Sequence, residues 1–222
     1  MDNRLEVRTL LSCMRETASI AQLQLLIYLI AVTGLGTLFD LARQASGSTF
    51  FDTINSTVAG YLLLRSVLLT TGLAKEGELA GFGAYFGLSI LSGLGILLGL
   101  VLLIVPGVIL IVRWTAAASY LLCENSRIGD ALGESFKMTK GNFWPLFGVG
   151  LLGAVPPIIG VLAIGVFTGD TEDIGTGVYT QGVADMATNA LTTATSAYFV
   201  IVGVAAYKLL FRAEEGIVEV FA

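Results

Sequence analysis

From Leu79 to Val112 the chain carries no charged residue, and only the pair Pro106-Gly107 interrupts the apolar run. A membrane crossing takes roughly 20 apolar residues. The run is therefore too long for one helix and suits two helices joined by a tight bend. Hydrocarbon offers no water to backbone amides, so each span must bond its own backbone. Composition agrees: only 13% of the 222 residues are charged, mean hydropathy is +0.83, and a soluble domain is nearer a quarter charged.

The pattern predicts an all-α integral membrane bundle of about six transmembrane helices with two short cytoplasmic-side amphipathic helices. The crossings fall at about 20–41, 54–74, 82–104, 107–124, 143–167 and 187–211. Length allows one membrane domain over 1–222: an amphipathic segment at 1–19, the bundle at 20–211 and a tail at 212–222. The run Thr17 to Phe39 reads as a retained first helix, because Asp2, Glu6 and Glu16 precede or enter it and it is too long for a signal-peptide core.

Cations set the orientation. Arg4, Arg8 and Arg15, then Lys75, then Arg127, Lys137 and Lys140, and finally Lys208 and Arg212 all fall on one face of a six-crossing bundle. The opposite face has Arg43 and an acidic last loop with Asp170, Glu172, Asp173 and Asp185. Cytoplasmic loops collect Lys and Arg, so both termini are expected in the cytoplasm.

Two segments have helical periodicity but are too short to cross. Val7, Leu10, Leu11, Met14 and Ala18 share one face of the first. Ile128, Ala131, Leu132, Ser135, Phe136 and Thr139 share one face of the second. Each either lies in the headgroup layer or packs on the ends of the crossings. Gly141 marks the end of the second, and Asn142 is placed to cap the next helix.

Several classes of chemistry are disfavoured. Histidine is absent, which removes the commonest general base and metal ligand together. Cys13 and Cys123 are too few for a zinc site and read as small apolar residues. The net charge of −5 offers no basic stripe for nucleic acid. No catalytic residue, metal or cofactor is expected. A hydrolase would need Glu124 and Glu134 to meet around a metal.

The stretch Pro106-Gly107 through Arg113-Trp114, Glu124, Asp130-Ala131-Leu132, Glu134-Ser135-Phe136 and Thr139-Lys140-Gly141-Asn142-Phe143-Trp144 resembles a known family. It is the membrane domain found beside some bacterial glycerophosphoryl diester phosphodiesterases and in related uncharacterised inner-membrane proteins. The likeness covers about Val105 to Pro157. It implies a six-helix fold in a bacterial inner membrane. It implies no phosphodiesterase activity, since that belongs to a separate soluble domain.

Few polar groups are left to carry function. Arg65 falls near the middle of the second crossing, where an arginine costs at least about 2.5–3.5 kcal/mol. It needs acceptors, such as Asp40 or Glu124, or a lipid phosphate. Arg113 is expected to snorkel toward the outer headgroups with Trp114 beside it. Glu124 is expected to pair with Lys137 or Lys140. Thr188, Thr192, Thr195 and Ser196 share a face of the sixth crossing and read as interhelical donors or a water-lining surface. Gly95 and Gly99, with Gly148, Gly150 and Gly153, permit close helix contact within the chain or between chains. Pro156-Pro157 predicts a kink or break in the fifth crossing, and Val105-Pro106-Gly107 the bend of a hairpin.

Two functions follow as expectations. One is a non-catalytic membrane protein, a scaffold or accessory subunit or a lipid-interacting homeostasis factor, with membrane lipids, other membrane chains or its own copies as partners. The other is a small transporter or channel with Arg65 in an anion or lipid-phosphate site.

Overall fold

The computed structural model describes the backbone of residues 5–43, 49–168 and 177–211, with side chains over 5–40, 55–166 and 182–211. Arg4, the side chain of Arg43, the acidic group Asp170, Glu172 and Asp173, and the tail 212–222 lie outside what is described. The elements are α1 (Val7–Ile20), α2 (Gln22–Arg43), α3 (Thr49–Thr70), α4 (Phe82–Leu102), α5 (Ile104–Arg113), α6 (Ala117–Glu124), α7 (Ile128–Met138), α8 (Phe143–Thr168) and α9 (Gly177–Leu210). No strand occurs among the described residues.

Five stretches are long and apolar enough to cross a membrane: Gln22–Asp40, Phe82–Leu102, Ile104–Glu124, Phe143–Val166 and Gly182–Leu210. The fold is thus an all-α membrane bundle. The second expected crossing corresponds to α3, which has described side chains only from Asn55 onward.

The C-terminal half of α9 is the axis of the bundle. Val202, Val204, Ala205, Ala206 and Tyr207 are each almost fully buried, and α1, α2, α3, α6 and α8 all pack on this helix. Outward faces are the reverse of a soluble protein's. Ile30 of α2, Leu98 of α4 and Leu162 of α8 are each at least 60% exposed, as expected where hydrocarbon is the solvent.

The hairpin of α4 and α5 is confirmed, but its bend moves. Leu103 is extended (φ −159°, ψ 132°) and separates the two helices. Pro106 therefore lies in the first turn of α5, where its missing N–H costs no helix bond. Gly107 sits at the contact: a Cβ there would come within 2.4 Å of Leu100 Cγ, and one on Gly99 within 2.9 Å of Gly107 Cα. Gly95 makes room for the Trp114 ring, 2.6 Å from its would-be Cβ. The Gly95 and Gly99 pair thus serves packing within the chain. Of Gly148, Gly150 and Gly153 in the fifth crossing, Gly153 does so, against Tyr198; Gly148 and Gly150 have nothing near them.

α8 runs unbroken through Pro156 and Pro157, against the expected break. Contacts on both sides of the prolines hold the helix to α9: Gly153 on Tyr198 and Gly160 on Leu191. The fourth crossing, by contrast, is interrupted at Trp114–Ala116 between α5 and α6. Gly203 of α9 covers the interruption, its would-be Cβ 2.7 Å from the Thr115 carbonyl oxygen.

Both amphipathic segments pack on the bundle. Leu10, Cys13, Met14 and Thr17 of α1 are buried against α8, α9 and α2. Ala131, Leu132 and Ser135 of α7 are buried against α4, α5 and α6. Gly141 has the positive φ expected of a helix stop (94°). The Asn142 side chain is used elsewhere: its amide oxygen accepts from the Leu5 N–H at 2.8 Å, tying the chain's first described residue to the head of α8.

Candidate functional site

The polar residues of α2, α3 and α9 converge on two adjoining cavities inside the bundle. The first, about 440 Å³, is lined by Asp40, Asn55, Asn189, Thr192 and Thr193, among others. The second, about 370 Å³, is lined by Thr57, Tyr85, Ser89, Thr115 and Ser119 among others. Tyr28, Ser56 and Ser196 line both. They form the wall between the two spaces, one residue from each helix. Both volumes fall in the range of small-molecule sites, about 300–1,000 Å³.

The local sequence explains why oxygen atoms face this space. Thr192 Oγ1 donates to the Thr188 carbonyl (3.0 Å), and Ser196 Oγ to the Thr192 carbonyl (3.0 Å). Ser89 Oγ donates to the Tyr85 carbonyl at 2.9 Å. Each hydroxyl spends its proton on its own helix, one turn back, and keeps its lone pairs for the cleft. Thr192 and Ser196 of the α9 hydroxyl face thus line the first cavity. At the far end Asn189 Nδ2 donates to Asp40 Oδ2 at 2.7 Å, and Gly36 lets α2 approach the Asn189 amide. From Asn189 to Gly203, which also lines the second cavity, α9 rises about 21 Å, against roughly 30 Å of hydrocarbon.

The expected arginine site is not here. Arg65 lines neither cavity. Because α3 ends at Thr70 rather than residue 74, Arg65 lies five positions before the helix end, about 7 Å of rise. It is half-buried. Asp40, considered as its partner, holds Asn189.

Arg113 is also displaced from its expected role. Its Nη1 donates to the Phe136 carbonyl (3.2 Å), and its guanidinium lies 4.9 Å from the Phe136 ring centroid. It therefore docks on α7 and does not reach for the outer headgroups. The reason is the interruption after α5. The Ala117 N–H bonds the Trp114 carbonyl (3.1 Å), and the Arg113 carbonyl accepts instead from Ser135 Oγ (2.8 Å) and Thr139 Oγ1 (3.3 Å). Trp114 packs over Gly95, half-buried.

Glu124 accepts from the Tyr207 hydroxyl at 2.7 Å, not from Lys137, which pairs with Glu134 one turn away on α7. The two carboxylates are thus separately engaged. No group of three or more metal-ligating side chains occurs among the described residues. No disulfide joins Cys13 and Cys123.

Comparison with protein-family models, with curated proteins and with solved structures finds no match. The cleft itself was only partly legible beforehand. The α9 hydroxyl stripe signalled one wall, but Tyr28, Ser56 and Ser119 were invisible because single hydroxyls in apolar helices carry no periodic signal.

Proposed function

We propose that the protein is a non-catalytic membrane conduit for a small cation or a neutral hydroxylated solute. The observation that supports this is the pair of cavities, each lined in part by polar residues, that meet at Tyr28, Ser56 and Ser196. Among the described residues their lining offers hydroxyl, amide and carboxylate oxygens and no cationic side chain, which suits a cation or a polyol and opposes an anion. Asp40 and Asn189 stand at one mouth. On this reading Arg65 is a structural residue, and the end of the bundle where α9 terminates faces the cytoplasm, because Arg8, Arg15, Lys75, Arg127, Lys137 and Lys140 belong to segments at that end.

Proteoliposomes test the proposal. Glycerol and potassium fluxes are measured for the native chain, for Ser196→Phe, which fills the wall between the cavities, and for Asp40→Asn. At least one flux is expected above that of empty liposomes, abolished by Ser196→Phe; if the solute is a cation, Asp40→Asn lowers it. Native flux equal to that of empty liposomes, or unchanged in a folded Ser196→Phe variant, overturns it.

A second reading, a lipid-interacting accessory protein, is favoured by a separate feature: an apolar groove on the outer surface between α1, α2 and α9.

A further inference from the structure

The groove between α1, α2 and α9 has a cavity of about 430 Å³ and is almost wholly apolar. Leu25 and Leu29 of α2 form one wall, and Ala194 and Ala197 of α9 form the floor. The small alanine side chains are what leave the space. Tyr198 bounds it and is fixed, because its hydroxyl donates to the Val149 carbonyl at 2.7 Å. Beside the groove, Leu26 and Ile30 of α2 are 58% and 70% exposed, so it opens on the face that meets hydrocarbon.

One charged residue lines it, Arg15 of α1. Arg15 is exposed, and no ion pair engages it among the described residues. The adjacent carboxylate does not neutralise it, because Glu16 is held by Lys208 at 3.1 Å. Arg8 lies two helical turns before Arg15 on the same stripe of α1, also exposed. The site therefore presents an apolar slot running along two membrane helices, with a guanidinium that no described carboxylate pairs where the slot meets the amphipathic helix.

We infer that this groove holds one acyl chain of an anionic glycerophospholipid, with the lipid phosphate on Arg15. The slot supplies no hydrogen-bonding group except at Arg15, since the Tyr198 hydroxyl proton is already spent. Its occupant must be hydrocarbon along its length and anionic at one end. Guanidinium binds phosphate oxygens in a bidentate way. Attraction to the chain's overall field is no explanation, because the net charge is −5. The site is distinct from the polar cleft and does not depend on the conduit reading.

The test uses the full chain in nanodiscs of equal phosphatidylglycerol and phosphatidylcholine with identical acyl chains, with retained lipid counted by native mass spectrometry. Phosphatidylglycerol is expected to be retained in preference. Arg15→Gln is expected to lower that preference about fivefold, the loss of one basic contact near an anionic surface. Arg15→Lys restores part of it, Arg127→Gln on a loop leaves it unchanged, and millimolar inorganic phosphate does not displace the lipid. Ala194→Phe, which fills the slot, removes the retained lipid; Ala18→Leu asks the same question if that variant loses helix content. The inference is overturned if Arg15→Gln leaves the preference intact. It is equally overturned if Arg127→Gln lowers the preference as much, or if a second copy of the chain occupies the groove in place of lipid. Solute flux is a separate readout, so failure here leaves the conduit proposal standing.

Discussion

A Cβ on Gly99 would stand 2.9 Å from the Cα of Gly107, closer than real Cβ atoms come to any neighbour. The α4–α5 hairpin is closed by this backbone contact, with dispersion between two bare helix surfaces as its adhesive. Gly107→Ala also meets the Leu100 backbone nitrogen at 2.7 Å, which cannot rotate away. Overpacking of this kind costs about 1–3 kcal/mol. Gly107→Ala is expected to lower the midpoint of thermal or denaturant unfolding followed by circular dichroism, whereas Gly148→Ala, which meets nothing, leaves it unchanged.

Ser135 and Thr139 satisfy the carbonyl that the interruption after α5 sets free. Removing both hydroxyls leaves that oxygen without a partner, at a cost of about 1–3 kcal/mol. Faster hydrogen exchange across α7 is expected in the Ser135→Ala, Thr139→Ala double variant, with exchange in α8 unaltered. Uniform exchange across α7 in both proteins would count against the anchor.

Arg113→Lys keeps the charge but loses the planar contact with Phe136 and the geometry of its bond to the Phe136 carbonyl. The expected effect is a loss of about 1 kcal/mol, seen as earlier proteolysis in the Asn125–Arg127 connection. Arg65→Lys, by contrast, is expected to change neither solute flux nor lipid retention, because Arg65 lines neither the cleft nor the groove.

Burial raises the Cys13 thiol above its ordinary value, and the nearby Lys208 opposes this only in part. The thiolate is the nucleophile, so Cys13 is expected to resist maleimide near neutral pH in the folded protein and react promptly once denatured. Raising the pH should speed labelling only through the upward-shifted range. Equal rates in folded and denatured protein would refute the burial.

An exposed pair joins Lys137 to Glu134. Hydrogen bonding to Glu134 raises the Lys137 ammonium above its ordinary value. Any stability it lends is present below the unfolded lysine's pKa and fades only as pH rises through the folded one. Thermal midpoints of Lys137→Met and the native chain should therefore coincide within error across the neutral range, as exposed pairs contribute little.

The membrane class, the helical content, the hairpin and the two amphipathic helices were legible in the sequence. Their signals are local: the length of an uncharged run, the helical spacing of Val7, Leu10, Leu11, Met14 and Ala18, and the stop at Gly141. The bend was misplaced because Pro106 reads as a breaker wherever it stands, yet a helix tolerates proline in its first turn. The end of the second crossing was placed at residue 74 rather than Thr70, because nothing in an apolar run marks where α3 gives way to loop. Glu124, Arg113 and Asp40 were assigned partners by charge, whereas the fold gave them Tyr207, Phe136 and Asn189. In a bundle with few charges, a hydroxyl or amide brought close by packing is the available partner.

The sequence by itself determined the solvent of this protein, its all-helical class and the amphipathicity of α1 and α7, because hydrophobicity and backbone satisfaction act over a window of neighbouring residues. Tertiary structure alone decided that Tyr28, Ser56 and Ser196, far apart in the chain, wall two cavities, and that Arg15 stands at an apolar slot. Those arrangements depend on which helix faces meet, and small residues such as Gly36, Ala194 and Ala197 set that through long-range packing that no local pattern records.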